Sequence, residues 1–226
     1  MPDYKNFVWR GQRRSDWSLL STFDRFLSNK EQDKRELISN KHLETFRNKR
    51  NKVGLNEVQD DDQLWGIGQH YGLHTPLLDW TECPFVAMFF AFSEKQELDQ
   101  SECRVIYGLH IGLRRLLQKT KKGSETIDKK RYVEFPSVET IENPRLKEQK
   151  ALFTKALNGV DIKTSVKRFS AKRPDEVILI EIKIPGKERE ECLKYLKERG
   201  ISYSTLFPDD YGVAKCCNLK LEITNY

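Results

Sequence analysis

The nine residues Pro84 to Phe92, PFVAMFFAF, are apolar without interruption. At helical spacing Phe85, Met88, Phe89 and Phe92 share one face, while Val86, Ala87 and Phe90 cover much of the remainder. A helix that is apolar nearly all round has no face to offer to water, so it belongs in the core with other elements packed around it. Pro84 is tolerated in its first turn, and Thr81 is placed to cap it. A chain of 226 residues with 38% hydrophobic and 11% aromatic content is long enough to bury such a helix. Its length predicts one domain spanning residues 1–226.

The rest of the chain divides by pattern. Phe7, Val8 and Trp9 give a short strand signal that ends at Arg10 and Gly11, followed by a polar turn. From Glu31 to Lys52 the chain is charged and helix-prone, with Ile38, His42, Thr45 and Phe46 on one modestly apolar face, which makes His42 a packing residue. Asp60 to Asp62 put acceptors and negative charge at the start of the next helix, DQLWGIGQHYG, which Gly72 can stop in a left-handed conformation. Leu77 and Leu78 suggest a short buried strand. Arg104 to Ile111 and Glu176 to Ile184 are rich in β-branched residues, and Tyr132 to Val138 is a weaker strand candidate. Glu188 to Arg199 and Asp209 to Leu221 are predicted helices. Helices therefore dominate the front and strands the back, without βαβ alternation or internal repeat. The predicted class is α+β, a helical N-terminal half packed on a mainly antiparallel or mixed sheet whose strands lie largely in the second half.

Composition narrows the function. No apolar run approaches the roughly 20 residues needed to span a bilayer, and Met1 to Arg10 lacks the apolar stretch of a signal peptide, so a cytoplasmic protein with no membrane partner is expected. The five cysteines form an odd set with no C-x-x-C pair, which suggests reduced thiols and neither a disulfide framework nor a cysteine zinc site. The net charge of +6 favours anionic partners such as nucleotides, nucleic acids or acidic proteins without choosing among them. Two basic stretches contribute, Lys119 to Arg131 and Lys163 to Arg173, and both are expected to be solvated loops.

Chemistry concentrates in two places. In Trp9-Arg10-Gly11-Gln12 a permanently charged guanidinium stands beside a residue with no side chain, so that backbone and arginine can approach a phosphate together. Gln69 to Trp80, QHYGLHTPLLDW, packs two histidines, a tyrosine, a threonine, an aspartate and a tryptophan into twelve positions broken by Gly72 and Pro76. His70 and His74 have the i, i+4 spacing of metal ligands, but Tyr71 replaces the Glu of H-E-x-x-H, Gly72 interrupts the helix and no third ligand follows, so no metal is expected. Gly66, Gly68 and Gly72 do not form a dinucleotide-binding G-x-G-x-x-G, and there is no P-loop and no G-x-S-x-G nucleophile. Cys83, at the start of a buried helix, is expected to be inert. Asp79 and Trp80 could equally form a hydrogen-bonded corner supporting the helix that follows.

Taken together, Trp9-Arg10-Gly11-Gln12, Gln69-His70-Tyr71-Gly72-Leu73 with Thr75, Leu77-Leu78-Asp79-Trp80-Thr81, then Pro84 and Ala87, resemble the FRG domain family. Asn143-Pro144-Arg145 with Gln149 and Phe153, and Leu206-Phe207-Pro208-Asp209 with Gly212, look like its two later elements. His74 stands where the family usually has Pro, Pro76 where it has Arg, and Ala151 where it has Gly. The resemblance implies a fold similar to ADP-ribosyltransferases and an NAD-consuming transferase or glycohydrolase, with NAD as substrate and a protein or nucleic acid as acceptor, acting as a bacterial toxin or phage-defence effector. It implies a binding wall of Arg10, Gly11 and Gln12 on the pyrophosphate or adenosine ribose. On the other side stand Gly72, Thr75 supporting its loop, His70 on a ribose hydroxyl and Tyr71 or Trp80 stacked on nicotinamide. The catalytic carboxylate is open among Asp79, Glu148 and Glu181, and Gln149 is a candidate to orient the ribose or acceptor in its place. The alternatives are a nucleotide- or RNA-binding module using the same pocket without NAD chemistry, and a protein-interaction module.

Overall fold

The computed structural model describes residues 4–95, 103–112, 133–138, 143–156, 159–170, 177–224 and 226. Strands β1 (Phe7–Gln12), β2 (Leu77–Thr81), β3 (Cys103–His110), β4 (Val133–Glu134), β5 (Ala151–Ala156) and β6 (Leu179–Pro185) form one sheet in the order β4-β5-β2-β1-β3-β6. Every neighbouring pair is antiparallel. The helices are α1 (Thr22–Phe26), α2 (Gln32–Lys52), α3 (Asp61–His70), α4 (Pro84–Phe92), α5 (Pro144–Glu148), α6 (Ile162–Ser170), α7 (Arg189–Glu198), α8 (Tyr203–Leu206) and α9 (Asp210–Glu222). The protein is thus α+β, with the N-terminal helices packed on an antiparallel sheet. Among the described residues no helix is long and apolar enough to cross a membrane.

The sheet has two covered faces because side chains alternate along each strand. Val8, Leu78, Trp80, Val105 and Tyr107 pack with Leu19 and with Ile162 and Val166 of α6. On the opposite face Phe7, Trp9 and Ile106 meet Ala87 of α4, while Leu77 and Phe153 meet Leu64 and Trp65 of α3. Beyond α4 lies a further layer, in which Val86, Phe89 and Phe92 pack with Leu193 and Leu196 of α7, Leu206 of α8 and Leu219 of α9. The all-apolar helix is therefore held between the sheet and the C-terminal helices, although Phe85 in its first turn stays 39% exposed, against the expectation of a helix with no face to water.

The buried end of α4 needs partners for its last carbonyls, and arginines from two other elements supply them. Arg104 of β3, itself buried, donates through Nη1 to Ala91 O at 2.6 Å and Glu94 O at 3.0 Å. Arg189 of α7 donates to Phe92 O and Ser93 O, both at 3.0 Å. Burial lowers the Arg104 guanidinium to about 10.

Several sequence expectations are corrected. The two central strands, β2 and β1, come from the front of the chain, not from the second half. Lys163, Lys167 and Arg168 sit on the amphipathic helix α6, not in a loop, because Ile162 and Val166 anchor its other face in the core. The stretch from Lys119 to Arg131 lies outside the described residues. Cys83, not Thr81, occupies the cap position of α4; Thr81 Oγ1, two residues earlier, accepts from Cys83 N at 3.1 Å.

Gly11 has a packing reason. A Cβ there would lie 1.8 Å from Ala87 O and 2.7 Å from Ala91 N, so the absent side chain lets α4 rest directly on β1. Gly11→Ala should therefore destabilise the fold by about 3 kcal/mol or more, since backbone on both sides must move. Urea denaturation of the variant against wild type measures the loss.

Candidate functional site

The sheet is split at its centre. β1 pairs with β3 at all six of its residues, from Phe7↔His110 to Gln12↔Val105, but with β2 only at Trp9↔Thr81. β2 in turn pairs along its whole length with β5. The two central strands therefore diverge beyond Trp9, and a cavity of about 390 Å³ opens there, lined by Arg10, Gly11 and Gln12 on one side and Asp79, Trp80 and Thr81 on the other. Arg10 spans the split: Nη1 donates to Asp79 O at 2.7 Å, taking the place of a ladder bond, and lies 3.8 Å from Asp79 Oδ2.

The same cavity is lined by Arg13, Trp17 and Arg25, and by Phe90, Ala151 and Phe207. Among the described residues three guanidiniums thus face one carboxylate. The Arg13 guanidinium stacks over the Trp17 ring, 5.3 Å from its centroid, and Arg25 Nη1 donates to Leu20 O at 2.6 Å. Burial lowers the pKa of Arg10, Asp79 opposes that, and the charge of Arg25 adds to it. Arg10 Nε and Gln12 Oε1 are buried without a partner among the described residues, while Gln12 Nε2 donates to Ser18 O at 3.3 Å. Polar atoms of this kind are costly unless a ligand or water satisfies them.

A smaller cavity of about 150 Å³ adjoins the first and shares Asp79, Gln149 and Phe207 with it. Its other walls include Gly66, Gln69, His70, Arg145 and Phe153. The Asp79 carboxylate, whose side chain is 58% exposed, therefore stands at the junction. It is held from behind: Gln69 Nε2 donates to Asp79 Oδ1 at 2.6 Å, the buried Thr75 hydroxyl donates to Gln69 Oε1, and Leu77 N donates to Thr75 Oγ1 at 3.3 Å. Gln149 joins three elements, since its carbonyl accepts from Thr81 Oγ1 at 2.7 Å and its Nε2 donates to Leu206 O at 3.0 Å.

His70 ends α3, and its Nδ1 lies 3.0 Å from Asn143 Nδ2. Burial first and the nearby charge of Arg145 second lower its pKa, and Asp209 opposes them. Arg145 Nε donates to Asp209 Oδ2 at 2.5 Å, and its guanidinium lies 5.3 Å from the Phe207 centroid and 5.2 Å from that of Tyr211. The Asp209 carboxyl is held below its ordinary range by that hydrogen bond.

Of the residues selected from the sequence, Arg10, Gly11, Gln12, His70, Asp79, Trp80 and Gln149 line the two cavities. Tyr71 and Glu148 line neither. Tyr71 is 77% exposed with its ring edge-on to His70, and Glu148 faces solvent on α5. Gly72 adopts φ +84° with open space around it, so it serves the turn that ends α3. Thr75 acts behind the cavity through Gln69. Trp80, 2% exposed, donates to Thr154 Oγ1 at 2.8 Å and forms a fixed wall. Glu181 pairs with Lys163 at 2.8 Å near the β6 edge, which leaves Asp79 as the candidate carboxylate in the cavities. Arg13, Trp17, Arg25 and Phe90 also line the larger cavity without standing in either sequence motif; the density of arginine and tryptophan from Trp9 to Arg25 is the signal that marks the first three. Among the described residues no group of three His, Cys, Asp or Glu is placed to hold a metal ion.

Residues 5–100 match the FRG domain family model, a range that runs from β1 past the end of α4 and includes both central strands of the split. Asn143 to Phe153 and Leu206 to Gly212 fall outside the matched range. No curated protein and no solved structure matches the chain.

Removing the Thr75 hydroxyl leaves the Gln69 amide without its buried anchor. Thr75→Val should cost about 1–2 kcal/mol of stability, whereas Thr75→Ser should stay close to wild type. Denaturant titration of the two variants side by side checks this.

Proposed function

Residues 5–100 belong to the FRG domain family, and on that premise we propose that the chain consumes NAD, as an ADP-ribosyltransferase or NAD glycohydrolase acting at the central cavity. The observation that carries the reading is the lining of that cavity: three arginines against one aspartate, with aromatic walls from Trp17, Trp80, Phe90 and Phe207. Guanidiniums bind phosphate oxygens in pairs, so Arg10, Arg13 and Arg25 suit a pyrophosphate of charge about −2. Aromatic walls suit the rings on either side of it.

The chemistry then falls to Asp79. Cleavage breaks the bond between the ribose C1′ and the nicotinamide nitrogen, and the bonding pair leaves with nicotinamide. Positive charge develops on the ribose, and a carboxylate held beside it lowers that barrier. The Thr75–Gln69 chain fixes Asp79 before substrate arrives, so little reorganisation is needed at the moment of reaction. Water or an acceptor hydroxyl adds its oxygen to C1′ and passes its proton to Asp79 or to solvent. Hydrolysis releases ADP-ribose, and transfer links it to a protein or nucleic acid.

The test is to incubate purified protein with labelled NAD and measure nicotinamide release and label transfer. Asp79→Asn should lower the rate by about 100-fold or more. Arg10→Ala should mainly raise KM, provided its far-ultraviolet circular dichroism matches wild type. No nicotinamide release with any protein, nucleic acid or water acceptor would overturn the reading. Retained nucleotide or RNA binding in that case would point to a module that uses the same pocket without turnover.

A further inference from the structure

The two cavities differ in charge as well as size. Around the larger one three guanidiniums outnumber one carboxylate. Around the smaller one Arg145 is paired with Asp209 and lies against the adjoining rings of Phe207 and Tyr211, and the carboxylate of Asp79 is paired with Arg10. This side of the junction thus has no excess of positive charge to attract an anion. The volume of about 150 Å³ is well below the roughly 300 Å³ at which pockets begin to hold a whole drug-sized ligand. Phe153, Leu146 and Phe207 offer apolar walls to a planar group.

The hydrogen-bonding character of His70 follows from a helix cap. Asn143 Oδ1 accepts from the backbone N–H groups of Arg145 at 3.1 Å and Leu146 at 3.4 Å. Backbone N–H groups only donate, so this oxygen cannot be exchanged with the amide nitrogen, and the flip ambiguity of an asparagine is removed. The Asn143 NH₂ is then the group 3.0 Å from His70 Nδ1, and it only donates. Nδ1 must accept, which puts the single imidazole proton on Nε2. A second proton would set an N–H against the Asn143 amide and a positive charge near Arg145; Asp209 is the opposing charge, and the Tyr71 ring centroid is 4.7 Å from that of His70.

We infer that the smaller cavity is a subsite for a planar, uncharged or cationic ring carrying a carbonyl oxygen, recognised by His70 Nε2–H as donor, with Asn143 as the positioning residue that sets the tautomer. The assignment rests on the NAD reading only for the identity of the ring, since the nicotinamide of NAD is a cationic ring bearing a carboxamide. With the pyrophosphate among the arginines and the reacting carbon at Asp79, the leaving ring enters this cavity. His70 is in consequence a hydrogen-bond donor and not a general base.

The experiment uses full-length chain labelled with ¹⁵N-histidine. It carries four histidines, and His70 is assigned by its absence in His70→Gln. Long-range proton–nitrogen correlation of ligand-free protein at neutral pH should show His70 in the Nε2–H form. Asn143→Asp keeps the cap, because a carboxylate accepts from the same two N–H groups, yet it cannot donate; His70 should convert to the Nδ1–H or doubly protonated form. A mixture of tautomers in wild type, or an unchanged tautomer in Asn143→Asp, would overturn the role of Asn143. Nicotinamide added to wild type should shift the His70 Nε2–H signal saturably, with about 10-fold weaker binding in Asn143→Asp at a pH where its His70 is the neutral Nδ1–H form, while nicotinate should leave it unmoved. No nicotinamide shift, or equal binding of nicotinate, would overturn the subsite. The tautomer is measured without NAD turnover, so an inactive protein with the expected tautomer and nicotinamide shift would sink the enzymatic reading and leave the subsite standing.

Discussion

In a sheet of six antiparallel strands the central pair is ordinarily the best bonded, and here it is the least. β1 and β2 share one register pair, Trp9↔Thr81, and then separate. Backbone groups facing the gap still need partners, and the Arg10 guanidinium supplies one by donating to Asp79 O. The arginine thus satisfies the backbone of the split and puts charge into the cavity it creates. Its Nε is buried and has no partner among the described residues.

The split is held open by what packs on either side. α4 rests on β1 at Gly11, where there is no room for a Cβ, and its C-terminal carbonyls are tied down by Arg104 and Arg189. β2 is fully paired with β5 on its far side. Each central strand is therefore fixed to a different neighbour, and the cavity sits between two rigid blocks. That is the setting in which side chains can be pre-positioned for chemistry.

Segments far apart in the chain complete the site. Asn143 caps α5 and orients His70 of α3; Arg145 pairs with Asp209 at the cap of α9; Gln149 links Thr81 to Leu206. These bonds draw residues from three stretches onto one junction beside Asp79. The consequence is a division of charge, cationic in the larger cavity and balanced or negative in the smaller, that would orient an asymmetric ligand.

Much of this was legible in one dimension. The all-apolar run of α4, the cap at Asp60, the left-handed stop at Gly72 and the cluster from Gln69 to Trp80 follow from local periodicity, backbone conformation and residue chemistry. Such properties act over a few residues, so a sequence displays them directly. What required the tertiary structure was every choice among neighbours. Tyr71 and His70 are adjacent in sequence, yet only His70 lines a cavity. Glu148 and Glu181 are carboxylates like Asp79 and lie outside both cavities, and Lys163 belongs to a helix because Ile162 and Val166 found a core to anchor it. Gly11 lines the larger cavity, and the space that its Cβ would fill is taken by α4. The sequence determined the α+β class and the two motifs. The split between β1 and β2, and with it which side chains face the cavity, was decided by contacts between residues distant in the chain, whose pairing energies no local pattern encodes.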